Sequence, residues 1–179
     1  SQSPENYLFH DTVIGEGGVG KVTTAYDRRN KRQVAVKTFN NNKASVKAFH
    51  HEMMIHSMVS DMPHTVSRYA SFFYKDHPTL IMELMDTDLL KYLQHNDKKL
   101  EKSTAISLFY QVCLAIQELH HKNIAHLDIK PENFLIKNNT NGTLSLYVCD
   151  FGHSVVGLDR RIGQRGTPIY CAPELKVDD

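Results

Sequence analysis

The feature that most limits how this chain can fold is a change of hydrophobic period part-way along it. From Tyr7 to Phe39 the apolar residues come in runs too short for a helix: Leu8 to Ile14, Val22 to Tyr26 and Val34 to Phe39. A glycine-rich turn and the charged turn Arg28-Arg29-Asn30-Lys31 separate them, so each run reads as a β-strand. Lys43 to Val59 reads as a helix, with Phe49, Met53 and Ile55 or His56 at near-helical spacing. Val66 to Tyr74 and Thr79 to Met85 read as two more strands, joined by a turn at Asp76-His77-Pro78. Beyond a short linker near Leu84 to Thr87 the pattern turns mainly helical. Asp88 to Gln94 is a short helix. Ser103 to His121 is the clearest one, with Ser103 as N-cap and Ile106, Phe109, Val112, Cys113, Ile116 and Leu119 as its apolar stripe. Phe134 to Ile136 and Leu144 to Val148 read as short strands on either side of an Asn141-Gly142 turn, and the stretch from Asp150 onward reads as loop. No internal repeat is present.

Composition narrows the function classes. With 41% apolar and 23% charged residues in 179, the chain has the make-up of a globular protein and can bury a core without staples. Lys and Arg number 21 against 20 Asp and Glu, so no global field draws it to nucleic acid or anionic lipid. The 11 histidines are scattered; the His50-His51 and His120-His121 pairs lack zinc-site spacing with cysteine. Three cysteines, Cys113, Cys149 and Cys171, make no disulfide framework and point to reduced thiols in an intracellular, cytoplasmic or nuclear, setting. No stretch reaches the length of a bilayer span, and Ser1-Gln2-Ser3-Pro4 is no signal peptide. The sequons Asn138-Asn139-Thr140 and Asn141-Gly142-Thr143 read as turn chemistry.

The first chemical signal is Gly15-Glu16-Gly17-Gly18-Val19-Gly20-Lys21-Val22. Glycines let backbone N–H groups approach phosphate oxygens with no Cβ in the way. Two phosphate motifs overlap here, beside the plainer reading of an ordinary glycine turn. Gly15, Gly20 and Lys21 match a P-loop, but Val22 stands where its Mg²⁺-binding hydroxyl belongs, and a strand rather than a helix follows. Gly15, Gly17, Gly20 and Val22 match the G-x-G-x-x-G-x-V hairpin. Next comes Val34-Ala35-Val36-Lys37: a lysine on an apolar strand is costly unless an anion receives it, and Glu52 is the acidic residue on the helix that follows. A solvated Lys and Glu would be the plain reading if these stood alone. His126-Leu127-Asp128-Ile129-Lys130-Pro131-Glu132-Asn133 packs an acid, a base and an amide together, and Asp150-Phe151-Gly152 and Gly166-Thr167-Pro168-Ile169-Tyr170-Cys171-Ala172-Pro173-Glu174 follow in order.

Together these motifs resemble a eukaryotic-type protein kinase, from about Tyr7 to Leu175. The resemblance implies an α+β, bilobal fold: residues 1–6 as an extension, 7–83 as an N-lobe with a five-stranded antiparallel sheet plus helix, and 84–179 as a truncated, mainly helical C-lobe, with a hinge at about 83–87 and ATP between the lobes. It implies that Gly15, Gly17 and Gly20 cover the ATP phosphates, that Lys37 holds them and pairs with Glu52, and that Asp128 accepts the substrate hydroxyl proton. Lys130 would neutralise the transferred phosphoryl group, and Asn133 and Asp150 would hold Mg²⁺. Ile14, Val22, Ala35 and Leu135 would enclose adenine, with Met82 as gatekeeper and Glu83 to Met85 as the hinge that bonds it. Cys149 would lie near the pocket floor as a small buried hydrophobe. Lys130, and Thr167 just after Arg165, resemble the Ser/Thr branch, so protein Ser/Thr hydroxyls are the implied substrates.

Three departures from the family pattern stand out. Leu127 replaces the arginine that clamps a phosphorylated activation loop, so loop phosphorylation is not expected to activate the chain, although Ser154 and Thr167 remain candidates for modification. His56 falls where the family places an apolar residue, unless the helix register is off by one. The given sequence also stops soon after Glu174; taken alone, that would leave Glu174 without its usual partner and the floor under His126 and Asp128 as exposed apolar surface. A fragment, a natural truncation completed by a partner or dimer, and a non-catalytic kinase mimic all fit that ending.

Overall fold

The computed structural model describes residues 3–96, 99–157 and 166–172. They form two compact units: Ser1–Ser60 with Val66–Leu84, and Asp61–Thr65 with Met85–Asp179.

The first unit is an antiparallel sheet with one helix. Its strands are β1 (Tyr7–Phe9), β2 (Gly15–Gly17), β3 (Gly20–Asp27), β4 (Arg32–Phe39), β5 (Arg68–Tyr74) and β6 (His77–Glu83). They run in the order β1-β3-β4-β6-β5, with β2 also on β3, so six segments fill five positions. The run Leu8 to Ile14 is therefore not one strand. Phe9 pairs with Ala25 and Gly15 with Val22, so the five residues His10 to Ile14 stand against Thr23 and Thr24 alone. The chain rejoins the ladder where His10 N–H donates to Thr24 O (2.9 Å) and Ile14 N–H to Val22 O (2.8 Å), and exposed Asp11, Thr12 and Val13 bow out as a bulge. The β5–β6 turn also differs from expectation. It is Lys75-Asp76, both with positive φ (48° and 62°), and Tyr74 pairs with His77, so His77 and Pro78 belong to β6. Pro78 is tolerated there because the β4–β6 ladder ends at Thr38–Thr79, so no bond to β4 is lost.

Alternation along β4 sorts its side chains onto two faces. Val34 and Val36 join Tyr7, Ala25, Ala70 and Ile81 in one core. Phe39, two residues on from Lys37, joins Leu80 and Phe49 of the helix α1 (Lys43–Met58) in the other. Asn42 caps α1 by accepting from Ser45 N–H (2.9 Å). Its buried residues are Ser45, Phe49, Glu52, Ile55 and His56. The register thus holds, and both Ile55 and His56 are inside.

The second unit carries α2 (Leu89–His95), capped by Asp88, and α3 (Lys102–His121). Its strands β7 (Thr87–Asp88), β9 (Phe134–Asn138) and β10 (Leu144–Val148) form one sheet, while β8 (Ile124–Ala125) pairs with β11 (Val155–Val156). β11 lies inside the stretch read from sequence as loop. Two expectations about α3 are corrected, although the expected stripe does hold at Leu119. Glu101, not Ser103, is its N-cap residue, and it makes no side-chain capping bond. The buried residues are Leu108, Ala115 and Leu119, whereas Ile106 and Phe109 are 59% and 70% exposed and Cys113 is exposed too. The helix is apolar on more than one side, and a polar residue selects the side that docks. Gln111 donates to Leu144 O (3.1 Å) and accepts from Leu146 N–H (2.8 Å), which turns the Leu108–Gln111–Ala115 face onto β10.

The short segment Asp61–Thr65 is tied to α3 and β10. Lys122 pairs with Asp61 (2.5 Å), His64 N–H donates to Glu118 (3.2 Å), and Val148 N–H donates to His64 O (2.8 Å). Among the described residues no helix is long and apolar enough to cross a membrane.

Candidate active site

In the first unit the glycine-rich stretch is a β2–β3 hairpin, and β3 continues as strand to Asp27, which excludes the strand–loop–helix of a P-loop. Its glycines differ in why they are glycine. A Cβ on Gly20 would lie 2.1 Å from Thr38 O, so the fold itself requires glycine there. Nothing lies within 4 Å of a Cβ on Gly17 or Gly18. The bare backbone at those two positions serves no packing need, and it suits close approach by something outside the chain.

Ladder partners share a face, so Val22 opposite Lys37, and Ala35 opposite Met82, put these four side chains on the α1 side of the sheet. Lys37 Nζ lies 2.6 Å from Glu52 Oε2; the side chains are 13% and 3% exposed. The pair expected from sequence is formed, and at that burial it is no pair of solvated surface charges. Ile14 is 40% exposed at the mouth of the hairpin, and Glu83 ends β6 with its N–H on Ser67 O (2.9 Å).

In the second unit β8 leads into the loop His126–Lys130, then a single 3-10 turn, Pro131–Asn133, leads into β9. Asp128 is buried at the centre of a polar cluster. Its Oδ1 accepts from Thr167 Oγ1 (2.7 Å), and its Oδ2 lies 3.1 Å from Lys130 Nζ and 3.1 Å from Asn133 Nδ2. Lys130 also donates to Thr167 Oγ1 (2.6 Å). Burial alone would raise the Asp128 pKa, but the Thr167 and Lys130 hydrogen bonds, the Lys130 charge and the Asn133 bond outweigh it and hold the carboxyl below its ordinary range. His126 donates from Nε2 to Cys149 O (3.0 Å) and accepts at Nδ1 from Asp128 N–H (3.2 Å). Burial lowers its pKa, against the Cys149 hydrogen bond and the charges of Asp150 and Asp128, so the ring that orients Asp128 is neutral.

Leu127 and Asp150 both have φ of 62°, a left-handed backbone that costs a non-glycine residue on the order of 1–2 kcal/mol. Gly166 packs against the first of them; a Cβ there would sit 2.5 Å from Leu127 O. Asn133 spends its amide nitrogen on Asp128, leaving its carbonyl oxygen as the end suited to a cation. Met85, Leu135 and Cys149 belong to this second unit, Met85 buried and the other two half-buried.

The two candidates for modification sit differently in this arrangement. Ser154 is wholly buried, and the Thr167 hydroxyl is held by both Asp128 and Lys130. Arg165, Pro173 and Glu174 lie outside the described residues. Beside the loop, Leu119, Leu127, Ile129 and Tyr170 help line a cavity of about 310 Å³.

The model of the protein kinase domain matches residues 9–177, nearly the whole chain. The chain belongs to the protein kinase family. It is 33% identical over 181 residues to "Serine/threonine-protein kinase dkf-2" of Caenorhabditis briggsae, covering 94% of this chain and 14% of that protein. To "Serine/threonine-protein kinase RUNKEL" of Arabidopsis thaliana it is 33% identical over 168 residues, 90% of this chain and 12% of that protein. To "Aurora kinase" of Yarrowia lipolytica it is 34% identical over 181 residues, 95% and 47%. The chain therefore spans about half or much less of these relatives' length. Protein kinases use ATP and Mg²⁺ to phosphorylate proteins, and the α+β kinase fold is the one seen here.

Proposed function

We propose that this chain transfers the γ-phosphoryl group of Mg·ATP to Ser or Thr hydroxyls of a protein. The observation that carries this reading is the cluster on Asp128: a carboxylate kept ionised, flanked by Lys130 and steered by Thr167 and Asn133. Phosphoryl transfer asks for positioning and charge neutralisation rather than covalent help. Asp128 holds the attacking hydroxyl and takes its proton. Lys130 offsets charge on the transferred group. Lys37, oriented by Glu52, holds the nucleotide phosphates, and the backbone of Gly15, Gly17 and Gly20 covers them. Ile14, Val22, Ala35 and Leu135 take the adenine, Met82 bounds it, and the backbone from Glu83 to Met85 bonds it. Asn133 and Asp150 are the residues to hold Mg²⁺: two hard oxygen donors suit an ion that completes its shell with phosphates and water. When bound, Mg²⁺ neutralises phosphate charge.

Labelled-phosphate transfer to a basic Ser/Thr peptide tests this reading. Lys37→Met and Asp150→Asn should each abolish transfer while leaving the circular dichroism spectrum unchanged; undiminished turnover in either would mean that the site is mapped wrongly. A second reading is a non-catalytic kinase mimic that binds a partner or a second copy. It draws on the exposed apolar residues Ile106, Phe109 and Ile169 of the second unit. It predicts Mg·ATP binding with no transfer.

A further inference from the structure

Leu127 has neither glycine's freedom nor the arginine side chain that the family uses at its position, yet it is held left-handed immediately before Asp128. A left-handed leucine needs both flanking peptide planes fixed. The plane after it is fixed twice, since Asp128 N–H donates to His126 Nδ1 and Gly166 packs against Leu127 O. The plane before it contains the His126 carbonyl, and Ser154 Oγ donates to that oxygen (3.3 Å) from a position with no solvent exposure. Ser154 is well placed to hold it. Its own N–H bonds Phe151 O (3.1 Å), the adjacent β11 pairs with β8, and Gly157 N–H bonds Asn123 O (2.7 Å), so the hydroxyl sits on a segment laced to the strand that precedes His126.

We propose that Ser154 is a positioning residue for phosphoryl transfer: its hydroxyl holds the His126–Leu127 peptide against the rotation that would relax Leu127, and thereby holds the Asp128 carboxylate in place. This rests on the reading of Asp128 as the residue that receives the substrate hydroxyl. Without the hydroxyl, the His126 carbonyl turns away, Leu127 relaxes to negative φ, and Asp128 N–H leaves His126. A buried hydroxyl hydrogen bond of this kind is worth about a 3- to 10-fold change in rate.

The test is a double-mutant cycle on kcat with Ser154→Ala and Leu127→Gly. Glycine accepts a left-handed φ without strain, so the hydroxyl has nothing to hold against. Ser154→Ala should lower kcat about 3- to 10-fold in the Leu127 chain, with the KM for ATP moving by less than about twofold, and by less than about twofold in the Leu127→Gly chain. Equal losses in both backgrounds, or no loss in the first, would overturn the proposal. Amide hydrogen exchange supplies a readout that needs no turnover. Asp128 N–H should exchange faster in Ser154→Ala than in the parent chain, and no faster in the double variant than in Leu127→Gly. Unchanged exchange overturns the proposal. Faster exchange in a chain that transfers no phosphate would support the positioning role and remove the kinase reading instead.

Discussion

His56 offers a quantitative test of how α1 is packed. Its imidazole is 3% exposed on the same face as Glu52, and burial, together with the charges of Arg68 and Lys37, lowers its pKa from 6.5 to about 4. The folded chain therefore keeps this ring neutral where the unfolded chain has already taken up a proton. Between pH 6.5 and about 4 the unfolded state binds more protons, so stability is complete above that window and is lost as the pH falls through it. At about 1.4 kcal/mol per pH unit, that span is worth on the order of 3 kcal/mol, a large part of a typical folding free energy. His126 is buried with its pKa lowered too and acts in the same direction, so the slope of the parent chain alone does not isolate His56. His56→Leu does, because it puts an apolar side chain in the same buried site and removes the titrating group. Urea unfolding followed by circular dichroism at steps from pH 7 to pH 4 measures both chains. The variant should lose on the order of 3 kcal/mol less than the parent over that range. Parallel curves would refute the reasoning, since they would mean that His56 is solvated in the folded chain. The carboxyls of Asp27 and Asp128, held below 3.8, contribute stability that is lost as the pH falls toward and below that value, but both chains carry them, so they cancel in the comparison.

The glycine hairpin separates packing from function. Gly20→Ala should destabilise the fold by more than about 2 kcal/mol, because its Cβ would overlap Thr38 O, while Gly17→Ala should leave the melting temperature nearly unchanged and weaken ATP binding; the reverse ranking would contradict the roles given to the two positions. Lys37→Met leaves Glu52 buried without its cation, so unfolding free energy should fall by about 3 kcal/mol and be largely restored by adding Glu52→Leu; a double variant no more stable than the single one would refute the pairing argument. Phosphatase treatment should change the transfer rate little, because Leu127 cannot clamp a phosphate, and a large loss would show another basic group in that role.

The sequence showed most of what depends on residue type and local order. The strand-rich first part, α1, the Lys37–Glu52 pair and the Asp128 loop could all be read from it, because apolar period and motif spacing are local properties. What it concealed depended on tertiary context. The bulge at Asp11 to Val13 looks like continuous strand, since its apolar Val13 and Ile14 keep the pattern while the ladder skips. The apolar stripe on α3 holds at Leu119 but not at Ile106, Phe109 and Cys113, because Gln111, a polar residue that no hydrophobic count includes, decides which side meets β10. Ser154 gave no sign of its burial, for a serine after Asp-Phe-Gly reads as a surface hydroxyl until β11 is seen to pair with β8. Thr167 was visible as a motif residue, but its bond to Asp128 closes a gap of 39 positions that no local pattern spans.

On the function proposed for this chain, Asp128 serves phosphoryl transfer to a protein hydroxyl. The most direct measurement is intact-mass spectrometry of a Ser/Thr protein substrate incubated with Mg·ATP and either the parent chain or Asp128→Asn. The substituted amide would keep the shape of the site but could not accept the proton. Phosphate should be added by the parent chain and not by the variant. Phosphate added equally by both, or by neither while Mg·ATP binds, would contradict the proposed function.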